Sequence, residues 1–249
     1  MKRTVITRLF RAEIARLVKL PGLYISIAVA TALSLPVLIQ SADLASSLEI
    51  QYAFSGISVL QIALLVWGAQ YGASAYESGS ITRFAFIAGG KTRALALRLA
   101  ALGLAIVFAV AVTFALSLVM TFVLSASQQK PFGWASLLWA ADGRILLAVA
   151  WFTMTGFFAG VLTRSRAVSS AGTLALVLVP SVFLLLTMPD LAQWMPLAIA
   201  SRFVTGPETH ATLGVTFAQS ILVMLAILAI FAAGGWLRAI ARSTKKAKP

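Results

Sequence analysis

Six long apolar stretches, separated by short polar segments, follow one another along the 249-residue chain. Each approaches or exceeds about 20 residues, the length at which an α-helix crosses the hydrocarbon core of a bilayer. The pattern therefore predicts an all-α polytopic membrane protein, with six transmembrane helices in a single transmembrane domain over residues 1–249. The predicted spans are 23–40, 54–75, 94–124, 145–163, 167–188 and 211–236.

The cations between these stretches predict the orientation of the chain. Seventeen of the twenty Lys and Arg residues fall before the first span, after the even-numbered spans, or at the cytoplasmic start of span three; Lys130, Arg144 and Arg202 fall on the other side. Because Lys and Arg are retained on the cytoplasmic side of a membrane, both termini are expected in the cytoplasm of a cell with this protein in its inner (plasma) membrane.

The first 21 residues predict an amphipathic helix that lies at the membrane interface. At 100° per residue, one arc is apolar and the other is basic, as expected for a helix that contacts anionic lipid, either as an anchor alone or with a further role. Glu13 falls within the apolar arc, where an unpaired carboxylate is costly, so we expect it to pair with Arg16 or with a protein partner. A cleaved signal peptide is disfavoured, because its basic region has no need to be so long or amphipathic.

The loop 76–93 predicts a second short helix, from about residue 78 to residue 88. Gly89-Gly90 would end this helix, and Thr92 would cap the next span. Such a helix either docks into a groove on a soluble protein or lies on the membrane surface. Gly90-Lys91-Thr92 imitates the end of a phosphate-binding loop, but Ala85 stands where that motif needs its first glycine and no strand precedes it.

The composition leaves little room for chemistry within the chain. With 60% apolar residues, no Cys and a single His, it offers neither thiolate nor paired-histidine metal ligands, and no nucleophile with a neighbouring base. The basic residues lie between apolar runs, so they indicate a membrane and not a nucleic acid as the partner. Gln61 and Gln70 are the notable polar side chains of the second span, where they either line a path or bond to other helices. A proline-rich outer segment, 189–210, precedes the sixth span.

The order of these features resembles a permease subunit of the type-2 ABC exporter superfamily. The resemblance covers nearly the whole chain: AEIARL at 12–17, YESGSITR at 76–83, KTR at 91–93, and Trp194-x-Pro196 before the last span. Two departures are Gly89-Gly90, where the family often has proline before the basic residue, and Arg98, where it commonly has lysine.

The resemblance implies that residues 76–88 form a coupling helix seated in a cleft of a separate ATPase subunit. Glu77 and Arg83 would anchor that helix, Ile81 and Phe84 would form its apolar contacts, and Glu13 with Arg16 would brace the entry helix. ATP and Mg²⁺ would bind to the partner ATPase, with no cofactor on this chain, and two permease subunits would pair around the pathway.

The function expected from the sequence is therefore ATP-driven outward movement of an amphiphilic substrate, such as a drug, an antibiotic peptide or a lipid-like compound. The chain itself would be non-catalytic. The alternative is a membrane scaffold or immunity protein that transports nothing and binds a cytoplasmic partner through the same loop.

Overall fold

The computed structural model describes residues 2–44, 48–49, 55–133, 139–205 and 215–241. Over these residues the chain is all-α, as predicted, apart from one short pair of parallel strands, β1 (Leu48–Glu49) and β2 (Phe132–Gly133). The helices are α1 (Lys2–Val18), α2 (Pro21–Leu44), α3 (Ser55–Glu77), α4 (Ser80–Ala88), α5 (Lys91–Ser127), α6 (Trp139–Thr163), α7 (Arg166–Thr187), α8 (Pro189–Ala192), α9 (Pro196–Thr205) and α10 (Phe217–Ala241).

Five of the described helices are long and apolar enough to cross a membrane. They are α2, α5, α6, α7 and α10, which correspond to the predicted first, third, fourth, fifth and sixth spans. The predicted second span forms α3, a helix of 23 residues that is not among the five. Its sequence is more polar, with Gln61 and Gln70 between its apolar residues, and it is largely covered by other helices.

Four glycines bring α3 and α6 into backbone contact. Gly68 and Gly72 stand one turn apart on α3, as do Gly156 and Gly160 on α6. A Cβ added at any of the four would overlap a backbone carbonyl oxygen of the facing helix: that of Thr153, Phe157, Leu65 or Ala69, respectively. The two small-residue stripes thus lie against each other, an arrangement typical of helices that pack within lipid.

The remaining long helices pack around this pair. Trp151 on α6 donates a hydrogen bond of 2.6 Å to the carbonyl oxygen of Met224 on α10, and Ser169 on α7 donates one of 3.3 Å to that of Ala69 on α3. The other sides of α7 and α10 are apolar and exposed, with Leu186 at 80% and Ile230 at 70%. Such faces suit contact with acyl chains.

The shorter elements follow the sequence-based predictions in part. Helix α4 ends at Ala88 before the glycine pair, as predicted, and the described part of the outer segment forms two short helices, α8 and α9. The predicted cap at Thr92 is wrong: α5 begins at Lys91, and its N-cap residue is Gly90. His210 and the basic tail from residue 242 lie outside the described residues.

Candidate functional site at the cationic end of the helices

Helix α4 is a separate nine-residue element held between two left-handed glycines. Gly79 precedes it with φ of 67° and Gly89 follows it with φ of 75°, a conformation in which a side chain is disfavoured. The amide N–H of Gly90 donates a 2.8 Å hydrogen bond to the carbonyl oxygen of Ala85 and closes the turn. The chain therefore enters and leaves α4 through sharp, well-defined corners.

One side of α4 packs on the start of α5. Ala85 and Ala88 are buried against Ala94, and their small side chains allow the two helices to approach closely. Leu9 of α1 and Leu97 of α5 pack around this contact. Helices α1, α4 and α5 therefore share one small apolar cluster. It lies at the end of the molecule that carries α4 and the basic start of α5, called the cationic end below.

The other side of α4 exposes a large apolar surface. The Phe86 side chain is 88% exposed and that of Ile87 is 55% exposed, next to the exposed Arg83. Ile81 and Phe84, the apolar contact residues that the resemblance implies, are only half-buried, and Phe84 packs against the cluster at Ala85. The most exposed apolar surface of α4 was thus missed by the sequence analysis, because a helical period alone does not say which side faces α5.

A buried charged cluster lies beneath α4 and joins α1, α3 and α5. Arg98 is only 1% exposed, and its Nε donates a 3.1 Å hydrogen bond to Oε1 of Glu13, which also accepts one of 2.6 Å from the Tyr71 hydroxyl. The Arg98 Nη2 donates to the Tyr71 carbonyl oxygen at 2.5 Å. The guanidinium carbon also lies 4.3 Å from the centre of the Tyr71 ring, within cation–π range.

The predicted Glu13–Arg16 ion pair is present, but it is not the closest contact of the Glu13 carboxylate. Arg16 lies 4.0 Å from Oε1 of Glu13 and is one-third exposed, whereas Arg98 makes the close, buried contact. Glu13 therefore finds its main partner in a residue 85 positions away. In the sequence, Glu13 is an acid on the apolar arc of α1, and Arg98 is a cation within an apolar span. Their opposite charges are the feature of the sequence from which this pair could have been predicted.

A second ion pair connects the end of α3 to the start of α7. Glu77 Oε2 lies 2.9 Å from Nε of Arg166, with both side chains about half exposed. In the same α6–α7 loop, Arg164 stacks 5.1 Å from the centre of the Tyr76 ring and donates a 2.6 Å hydrogen bond to the carbonyl oxygen of Arg238 on α10. This short loop therefore contacts both the segment before α4 and the end of α10.

The two candidate glutamines of the path lie at different depths of the packing. Gln61 is buried within α3, while Gln70 is half-buried and borders a hollow beside Trp67 and Arg166. Among the residues that the structure describes, no group of three His, Asp or Glu side chains is arranged to hold a metal ion.

The chain matches no protein-family model, and neither a curated protein nor a solved structure matches it.

Proposed function

We propose that this chain is the transmembrane permease subunit of an ATP-driven exporter of the type-2 ABC superfamily. In this proposal α3 is a sixth span in addition to the five long apolar helices, which returns both termini to the cytoplasm. The distribution of Lys and Arg supports the cytoplasmic placement of α1, α4 and the α6–α7 loop.

The observation that carries the proposal is the form of α4. A short helix between two left-handed glycines, with Phe86 and Ile87 exposed at the cationic end, has the size and the surface that a soluble partner could bind in a groove. Contact with water is unfavourable for an exposed phenylalanine side chain. Its burial in a partner's groove would contribute about 1.5–3 kcal/mol to the free energy of binding.

The contacts beneath α4 would let it transmit movement. The apolar cluster ties α4 to α1 and α5, and the Arg98–Glu13–Tyr71 contacts tie α1, α3 and α5 to one another. A push on α4 would therefore move three helices together. The Glu77–Arg166 pair would pass part of that movement to α7.

For ATP-driven transport, this chain would need two kinds of partner subunit. A separate ATPase subunit would bind ATP and Mg²⁺ and would receive α4, and a second permease subunit, identical or related, would complete the pathway. The substrate would be an amphiphile, such as a drug, an antibiotic peptide or a lipid-like compound, moved outward.

The experiment that tests the proposal is purification of the chain from its native membrane in mild detergent. An ATPase with nucleotide-binding motifs should accompany it at equimolar ratio and hydrolyse ATP. Phe86→Asp should remove the ATPase from the complex, while Thr82→Asp, which places the same charge on an exposed residue of the same helix, should retain it.

Two outcomes would contradict the proposal. If the chain purifies without an ATPase and with a different cytoplasmic protein, the scaffold or immunity alternative is favoured. If Phe86→Asp and Thr82→Asp retain the ATPase equally well, the exposed surface of α4 is not its binding site.

A further inference from the structure

The inner corner between α1, α2 and α5 contains an apolar cavity of about 310 Å³. Ile14 and Val18 of α1, Tyr24 of α2, and Ala101, Leu104 and Phe108 of α5 are among the residues that line it. It begins just beyond the Glu13–Arg98 cluster, on the side toward the apolar middle of α5. In a bilayer this position opens toward acyl chains.

The corner is hollow because small residues stand where the helices diverge. Ala101 and Ala105, one turn apart on α5, form part of its wall, and the chain turns from α1 into α2 between Val18 and Pro21. The rim is apolar and exposed, with Val18 at 54%, Leu104 at 51% and Phe108 at 48%. An apolar hollow of this size has room for an apolar ligand such as part of an acyl chain.

One exposed cation of α1, Arg11, precedes the part of the helix that lines this cavity. Arg11 is exposed and lies three residues before Ile14 and seven before Val18, a spacing that places all three along one side of the helix. Arg8 on α1 and Lys19, directly after α1, are also exposed. None of these three cations forms an ion pair with a carboxylate within the described ranges, and the one acid of α1, Glu13, is held by Arg98.

We propose that this corner binds one anionic phospholipid, with an acyl chain in the cavity and its phosphate at Arg11. An anionic phospholipid has an apolar acyl chain that fits the hollow and a negative phosphate that fits the unneutralised cations, and few other ligands have both. A neutral lipid would use the cavity without the cations, and a second copy of the chain would bring its own cationic α1 against this one. The inference does not depend on the proposed transport function.

The test uses the full-length chain, stripped of native lipid in detergent and given equal amounts of dioleoyl phosphatidylglycerol and dioleoyl phosphatidylcholine. Native mass spectrometry then counts the lipids that each protein molecule retains. The wild-type chain is expected to retain one phosphatidylglycerol in preference to phosphatidylcholine. Arg11→Gln is expected to lower that preference by about fivefold, the effect of one cation near the surface, while Arg93→Gln, at an exposed cation of α5, leaves it unchanged.

The cavity is tested by filling it. Ala105→Leu is expected to reduce retention of both lipids, whereas Ala111→Leu, at an exposed position further along α5, has no effect. Phe108→Ala alters only the exposed rim, so that the core packing stays intact, and it should weaken retention of both lipids as well.

Four results would overturn the proposal. Equal retention of the two lipids by the wild-type chain would remove the role of the cations, as would identical behaviour of Arg11→Gln and Arg93→Gln. Undiminished retention in both Ala105→Leu and Phe108→Ala would show that the acyl chain lies elsewhere. A lipid-free dimer that dissociates in Ala105→Leu would assign the corner to a second copy of the chain.

Discussion

Arg98 is the residue on which the cationic end of the molecule depends. Its side chain is almost fully buried, and it contacts three groups: the Glu13 carboxylate, the Tyr71 carbonyl oxygen and the Tyr71 ring. Burial of a charged pair is costly in itself, so the pair is better understood as a device that selects one arrangement of α1, α3 and α5 than as a source of stability. Its Nη1 has no hydrogen-bond partner among the described residues.

Removal of either Glu13 or Arg98 should lower the stability of the protein, because the other charge stays buried without its closest partner. Arg98→Met leaves the Glu13 carboxylate buried without its cation, and loss of one partner of a buried pair typically destabilises by about 3–5 kcal/mol. The thermal unfolding of the purified protein in detergent measures the change, with Arg83→Met, at an exposed cation of α4, as the control. The double variant Glu13→Leu with Arg98→Met should recover much of the loss; a double variant as unstable as the single one would contradict this account.

At the scale of elements, helices α3 and α6 come into close contact because four glycines, which have no side chain, lie at their interface. Each of the four glycines faces a backbone carbonyl of the other helix, so the distance between the helices is set by main-chain contact. The same closeness brings Tyr71 and Phe157, whose ring centres are 5.8 Å apart, beside Arg98. The glycine contacts thus position the charged cluster as well as the helices.

A single methyl group should disturb this contact. Gly160→Ala would push a Cβ into the Ala69 carbonyl oxygen, and overpacking of this kind typically costs about 1–3 kcal/mol. Gly103→Ala, on α5, meets nothing within 4 Å and should be neutral or slightly stabilising, since alanine favours a helix. The two thermal unfolding temperatures are compared in detergent; equal values would mean that α3 and α6 are further apart than described.

The link between the end of α3 and α7 makes a different prediction. The Glu77–Arg166 pair is half exposed, so it should contribute at most about 1 kcal/mol to stability. Under the proposed function, Glu77→Lys should therefore leave the assembly intact but uncouple ATP hydrolysis from transport. The exchanged pair Glu77→Arg with Arg166→Glu should restore coupling, because the contact is re-formed with the charges reversed.

Coupling assays in vesicles that contain this chain and the proposed ATPase would measure both variants. Normal transport by Glu77→Lys would remove Glu77 from the coupling route. Failure of the exchanged pair, with the single variant impaired, would mean that Glu77 acts on the partner protein and not through Arg166.

At the scale of the whole molecule, α5 sets the distance between the two ends. It runs for 37 residues, about 55 Å at the rise of an α-helix, and so exceeds the hydrocarbon thickness of a bilayer. Its first turns carry Arg93 and Arg98 and pack against α4 and α1, and its last turns reach the β1–β2 pair. The described residues therefore place Arg93, Arg98 and α4 at one end of α5, and the β1–β2 pair at the other.

These two ends should lie on opposite sides of the membrane. Because the chain has no native cysteine, single cysteines at Thr82 and Gln129 can be labelled without background. A membrane-impermeant maleimide should reach Gln129→Cys in intact cells and Thr82→Cys only after the membrane is opened. Labelling of Thr82→Cys from outside would reverse the orientation and would place α4 beyond reach of a cytoplasmic ATPase.

The amino-acid sequence by itself was sufficient to predict the helical class, the five spans that the structure supports and the short helix before the third, because apolar runs, glycines and turn residues act over a few neighbouring positions. It also predicts the orientation, which depends only on the positions of Lys and Arg along the chain. The tertiary structure decided which side of α4 stays exposed, that Glu13 pairs with Arg98 and Glu77 with Arg166, and that a cavity remains beside Ala101 and Ala105. These features depend on distances between residues as many as 94 positions apart in the chain (Ile14 and Phe108 at the cavity), and such distances are set only when the helices pack.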